Sequence, residues 1–219
     1  MRPVQSTRDD MLARITAALV GADRTPPPER EYGATTPLPD IAVTFAERVE
    51  DYRAVVERVA PDGIPAAVAA ALSLATRVVI PPGLPREWVA TLDGVEVVAD
   101  QGDLSSDELD RFDAVVTAAA VGIAVTGTIV LDHGPDQGRR ALSLVPDVHV
   151  CVVHESQLVG DVPESIAPLR DAIDAGRPLT WISGPSATSD IELERVEGVH
   201  GPRTLHVLLV GTDHPLPPA

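Results

Sequence analysis

The sequence predicts an α/β fold: a mostly parallel open sheet with helices on both faces, plus an N-terminal helical extension. Three observations lead there. Short apolar stretches such as Arg77–Ile80, Val148–Val153 and Thr204–Val210 alternate with stretches of helical spacing. Such stretches are dominated by Val, Ile and Leu with few polar residues, as expected of strands covered on both faces. No unit of solenoid length repeats along the 219 residues, so the chain reads as one domain with a decorated end.

In order, the first helix is expected from Thr7 to Val20. Ser6 with Asp9 resembles a capping box, and Met11, Leu12, Ile15, Ala18 and Leu19 supply an apolar face. Residues 22–40 hold five prolines and read as an extended linker. A second helix is expected from Phe45 to Val59, with Phe45, Val49, Tyr52 and Val56 at helical spacing. Ile64–Ala75 reads as alanine-rich helix, Arg77–Ile80 as strand, Pro85–Leu92 as helix and Val95–Ala99 as strand. Leu104–Phe112 is a short helix, Ala114–Ala118 a strand, and 123–131 a further, parallel strand ending in Thr128–Leu131. A short helix at Gly138–Leu144 precedes strand Val148–Val153, then helix Pro163–Ala175 stopped by Gly176, strand Leu179–Ile182 and final strand Thr204–Val210. The expected organisation is therefore an N-terminal helix and Pro-rich linker at 1–42, the main domain at 43–211 and a flexible tail at 212–219.

Composition excludes several function classes. All 17 basic residues are arginine, which removes lysine Schiff bases, lysine nucleophiles and the P-loop lysine. A net charge of −16 opposes nucleic-acid binding, which needs a basic surface. A single cysteine, Cys151, forms no internal disulfide and holds no iron–sulfur cluster, so no cofactor is expected in this chain. The acidic start lacks a signal-peptide apolar run, making the cytoplasm the expected location. The uncharged run Ala114–Leu131 is long enough for a membrane helix, but Thr117, Gly122, Thr126, Gly127 and Thr128 interrupt it with β and turn residues. No transmembrane segment is expected; two buried pieces joined by a glycine turn are.

Four stretches carry chemistry. Gly122-Ile-Ala-Val-Thr-Gly127-Thr128 lacks a Walker lysine, yet Thr126, Gly127 and Thr128 can offer hydroxyls and N–H groups to an anion; a plain structural turn is the competing reading. His149, Cys151 and His154 suggest a metal site, but 149 and 151 share one strand face and 154 takes the other, so no metal is expected. Ser183-Gly-Pro-Ser-Ala-Thr-Ser-Asp190 follows a strand, where open parallel sheets gather ligands at carboxyl ends. Its Ser183, Gly184, Ser186, Thr188 and Asp190 form a candidate anion cradle, with an ordinary hydroxyl-capped loop as the alternative. Gly198-Val-His200-Gly201-Pro202-Arg203 precedes the last strand. There Arg203 offers a fork for a carboxylate or phosphate, Gly201 a tight turn, and His200 is the candidate catalytic proton carrier.

Together GIAVTGTIVL (122–131), Pro146-Asp-Val-His149, SGPSATSDIE (183–192) and GVHGPRTLHVLLVG (198–211) resemble the lactate utilisation protein C family of the LUD domain group, from Phe45 to Gly211. The resemblance implies a fold similar to ribose-phosphate isomerases and CoA transferases. It also implies an accessory or substrate-binding subunit of a system oxidising L-lactate to pyruvate, in which two partner proteins carry the iron–sulfur clusters. Such a subunit would bind a small carboxylate or phosphate. One departure is Val125, where relatives usually carry glutamate; restoring it is expected to raise ligand affinity. The alternative is a stand-alone enzyme acting on a phosphorylated or CoA-linked small acid, with Glu155 or Glu192 as the nucleophile a covalent CoA transferase needs.

Overall fold

The computed structural model describes residues 7–22, 37–188, 196–197 and 201–211. The chain divides into two units, Met1–Ala34 and Thr35–Ala219. The first contains α1 (Thr7–Ala18), two residues shorter than its sequence pattern suggested.

In the second unit, α2 (Ile41–Asp51) starts where the Asp40 carboxylate accepts the N–H groups of Ala42 and Val43 at 2.9 and 3.0 Å. The helix was expected to run on to Val59. It stops because Arg53 takes a left-handed conformation, φ +67°, and the β-branched Val55 and Val56 that follow extend as β1 (Val55–Val59). Then come α3 (Ile64–Ala71), β2 (Arg77–Ile80), β3 (Glu96–Ala99), α4 (Ser106–Leu109) and β4 (Ala114–Ala118). The order continues with β5 (Val121–Ile123), β6 (Thr128–Leu131), β7 (Val148–His154), β8 (Leu158–Val159), α5 (Val162–Ser165) and α6 (Arg170–Asp174). It closes with β9 (Thr180–Ile182), β10 (Ala187–Thr188), β11 (Val196–Glu197) and β12 (Thr204–Val210).

Six strands form a parallel sheet in the order β1-β12-β7-β4-β2-β3. Helices cover both of its faces. On one, Ile64 and Val68 of α3 and its C-cap Leu72 pack against Val78, Val116, Val150, Val152 and Leu208. On the other, Phe45 and Val49 of α2 meet Cys151, Val153, Val207 and Leu209. Each such buried aliphatic or aromatic side chain contributes about 1.5–3 kcal/mol relative to exposure.

A second sheet, β8-β5-β6-β9, lies on the α2 side, where Ile129 and Leu131 join the same core. This sheet corrects the reading of 128–131 as a parallel strand: β6 runs antiparallel to both β5 and β9. The reason is the turn Ala124–Gly127, closed by Gly127 N–H donating to the Ala124 carbonyl at 3.2 Å. With φ +57° and the Arg48 backbone pressed against its Cα, position 127 admits only glycine without strain. The uncharged run 114–131 thus becomes three strands in two sheets, and no described helix is long and apolar enough to cross a membrane. The helix expected over Pro163–Ala175 is split into α5 and α6 by Pro168, which lacks the N–H needed to continue the ladder. The outer face of the second sheet is closed by Leu169 against Val121, Ile123 and Val130. The tail expected at 212–219 lies outside the described residues.

Candidate functional site

Beside the amino-terminal ends of β7 and β12 opens a cavity of about 320 Å³. Its wall comes from four segments: the turn Arg140–Leu144, the exit of β9 from Thr180 to Ser186, the entry to β12 at Gly201–Pro202, and the strand residues His149 and Leu205. The two loops are joined directly, because Ser186 N–H donates to the Pro202 carbonyl at 2.8 Å. Gly184 makes the bend possible. At φ +83° it lies against Tyr52, where a Cβ would collide with the Tyr52 Cβ.

The glycine turn reaches this wall through hydroxyls. Thr128 Oγ1 sits 2.8 Å from Ser183 Oγ and accepts from Thr126 Oγ1 at 2.8 Å. Antiparallel pairing of β6 with β9, Ile129 opposite Ile182, sets Thr128 across from Ser183. Thr126, Gly127, Thr128, Ser183, Gly184, Ser186 and Gly201 therefore lie along one connected set of loops. Thr188 belongs to the β10–β11 ribbon, paired with Val196. Asp190 and the candidate catalytic residue His200 lie outside the described residues, as does Glu192.

Three placements differ from the sequence reading. The cavity adjoins the amino-terminal edge of the parallel sheet, because β9 belongs to the second sheet and its exit meets the chain entering β12. Arg203 pairs on the surface with Asp147, Nε to Oδ1 3.3 Å, both side chains 64% exposed; the guanidinium on the cavity wall belongs to Arg140. Val125 stands 39% exposed in the turn before β6 and is not on the cavity wall. Glu155, at the far end of β7 about 20 Å along the strand from His149, holds Arg58 at 3.0 Å.

Sequence reasoning also missed Arg140, Ser143, Thr180 and Trp181 as wall residues. In the sequence His149 belongs to the Pro146-Asp-Val-His149 stretch of the family resemblance and to a metal-like spacing with Cys151 and His154, neither of which assigns it a place on this wall. His154 packs beside Trp88, ring centroids 6.3 Å apart, on the face opposite Cys151. Among the described residues no group of three His, Cys, Asp or Glu side chains is arranged to hold a metal ion.

Among the described residues the wall is largely neutral, with the Arg140 guanidinium at its rim. Burial pushes the His149 pKa down to about 4, leaving the ring uncharged at neutral pH. His149 Nε2 meets Thr117 Oγ1 at 2.8 Å, and its Nδ1 is buried without a partner among the described residues. The Thr180 hydroxyl is occupied by His133 Nε2 at 2.8 Å. The other ring nitrogen of His133 faces the Gly138 carbonyl at 2.8 Å, so in the neutral ring that nitrogen carries the proton and Thr180 donates to Nε2. Arg140 is exposed, and no described acid pairs with it.

A second cavity, about 530 Å³, lies at the carboxyl ends of β2 and β3, with Asp100, Gly102, His133, Arg139 and Arg177 on its wall. Arg139 on this wall is matched to Asp100 at 2.6 Å and Arg177 to Asp132 at 3.0 Å; Arg140, shared with the first cavity, is the cation here that no described acid pairs. Burial alone would raise the Asp100 pKa. Hydrogen bonds and attraction from Arg139, with the N–H groups of Gly102 and Leu104, outweigh it and hold the carboxylate below its ordinary range.

Residues 40–210 match the sequence profile of the LUD domain. Lactate utilization protein C of Deinococcus radiodurans is 47% identical over 214 residues, covering 96% of this chain and 100% of that protein. Lactate utilization protein C of Bacillus subtilis is 31% identical over 116 residues, 51% of this chain and 48% of that one. The crystal structure of a DUF162 family protein from Deinococcus radiodurans superposes with a TM-score of 0.68 at 45% identity, covering 78% of this chain and 96% of that chain.

Proposed function

The chain belongs to the LUD domain family, and on that premise we propose that it is an accessory, small-carboxylate-binding subunit of a system that oxidises L-lactate to pyruvate. The observation that carries the reading is the cavity beside β7 and β12. Its volume of about 320 Å³ sits at the lower end of small-molecule sites, roughly 300–1,000 Å³. Among the described residues it offers apolar wall from Leu144, Ile182 and Leu205, hydroxyls from Ser183 and Ser186, and the Arg140 guanidinium, which no described acid pairs. A short acid with a carboxylate at one end and a few carbons behind it meets each of those features. Full-length likeness to a lactate utilization protein C supports the choice of acid.

The redox step belongs in this proposal to two iron–sulfur partner proteins. The chain's single thiol, Cys151, is fully buried and its pKa is pushed by burial up to about 12, so it does not fit a cluster, which takes several ionised ligands. A lone reduced cysteine also suits the cytoplasm, where we place the system.

Calorimetric titration of the purified chain with L-lactate and with inorganic phosphate tests the ligand. L-lactate should bind, and Arg140→Ala should weaken it roughly ten- to hundredfold, the worth of one charge-assisted hydrogen bond. Arg203→Ala, which breaks an exposed pair, should leave binding unchanged. Affinity purification from the native host should recover two proteins carrying iron. Absence of lactate binding, or recovery of the chain alone, overturns the proposal.

A further inference from the structure

We propose that Nδ1 of His149 accepts a hydrogen bond from the hydroxyl of a 2-hydroxy carboxylate in this cavity, making His149 the residue that separates a hydroxy acid from its keto and deoxy analogues. The inference rests on the reading of the cavity as a small-carboxylate site and adds the feature of the acid that is recognised.

Cys151 Sγ lies 3.8 Å from the Ala118 carbonyl, which can only accept, so the thiol donates there. Thr117 Oγ1 donates to that sulfur, also at 3.8 Å. With its proton directed to sulfur, the Thr117 oxygen is an acceptor for His149 Nε2 at 2.8 Å. Adjacent register makes the arrangement: Thr117 of β4 stands opposite Cys151 of β7, and His149 is two residues along the same face. A neutral imidazole carries one N–H, here on Nε2, so Nδ1 presents a lone pair. The opposite tautomer would leave an N–H donor buried and unmatched, the costlier arrangement. Burial holds the ring neutral above about pH 4, so this lone pair persists at physiological pH.

His149 lies on the cavity wall and its Nδ1 has no partner among the described residues. Two neighbouring hydroxyl protons are already placed: Ser143 donates to the Arg140 carbonyl at 3.2 Å, and Thr180 donates to neutral His133. What the ring needs is a donor from the ligand. A carboxylate and a ketone have none; an alcohol beside the carboxylate does. An ammonium also donates, but among the described residues the wall holds no Asp or Glu to offset its charge.

The test combines nitrogen NMR of histidine-labelled protein with competition among L-lactate, propionate, pyruvate and L-alanine. The chain has six histidines, and the His149 signals are assigned by their loss in His149→Phe. In the free protein His149 should show the Nε2–H tautomer, and L-lactate should shift Nδ1. L-lactate should bind at least tenfold more tightly than propionate, pyruvate or alanine. His149→Phe should bring the lactate-to-propionate ratio near one with propionate affinity unchanged. Should that variant fail to fold, Thr117→Val, which removes the acceptor for Nε2–H, should lower the same ratio. An Nδ1–H tautomer in the free wild type, or a ratio retained in either variant, overturns the inference. If the wild type binds these acids without preferring lactate, this inference alone falls. If it binds none of them, the carboxylate reading falls and this inference with it.

Discussion

Cys151 and His149 sit two positions apart on the central strand, and burial acts on them in opposite directions. The thiol, with its pKa pushed up to about 12, is an inert core side chain. In the native protein it should fail to react with a disulfide reagent over hours at pH 7.5, then react with one equivalent in guanidinium; rapid native labelling would mean that β7 opens to solvent. His149 carries a stability term. The unfolded imidazole takes a proton near 6.5, whereas the folded one resists until about 4. Below 6.5 the unfolded state therefore binds more protons, so the contribution is complete above that pH and is lost as pH falls toward 4. At about 1.4 kcal/mol per pH unit, its ceiling is about 3 kcal/mol. Half-buried His206, also lowered by burial, adds in the same direction. Urea unfolding between pH 7.5 and 4.5 should show this loss, and His149→Phe should flatten it; equal slopes would contradict the buried neutral ring. Site residues were unequally legible. Ser183, Ser186 and Gly201 stood out because hydroxyls and glycines between apolar strands mark loops. Arg140 and Thr180 did not, since their place on the wall depends on strands from distant parts of the chain meeting at one edge.

At the level of elements, the parallel strands were readable because burial on both faces leaves a continuous apolar signature, as in β7, where residues 149–153 are all buried. The second sheet was harder. Its strands β5, β6, β8 and β9 span two to four residues, too short for a period to register, and β5 and β6 share an uncharged run with β4. The information that divides them resides in Gly127. Gly127→Ala would set a Cβ 2.6–2.8 Å from Arg48 backbone and side-chain atoms at positive φ. Left-handed strain of about 1–2 kcal/mol and overpacking of about 1–3 kcal/mol should lower stability by roughly 2–5 kcal/mol, read from the urea midpoint. Val125→Glu, two residues earlier but 39% exposed, should shift the midpoint little, because its carboxylate can remain hydrated. A large loss from Val125→Glu would instead mark the turn as dry.

Over the whole molecule the governing quantity is the charge of −16, which opposes the compact state by self-repulsion. Exposed pairs such as Arg48–Asp51 and Arg170–Asp174 offset little of this, at about 0–1 kcal/mol each. Salt weakens both effects, and the net repulsion is the larger, so the melting temperature should rise between about 10 mM and about 0.5 M NaCl. Acidification has two consequences that salt separates. Moving from pH 7.5 to 4.5 protonates part of the surface carboxylates and relieves repulsion, while it withdraws the stability tied to the neutral His149. At low salt these oppose one another. At high salt the repulsion is already screened, leaving the histidine penalty largely unopposed. The drop in melting temperature over that pH interval should therefore be larger at about 0.5 M than at about 10 mM NaCl. Calorimetric scans on the four corners of this pH and salt square decide it: an equal drop at both salts would show that net charge is not a significant stability term, and a smaller drop at high salt would contradict the buried-histidine account.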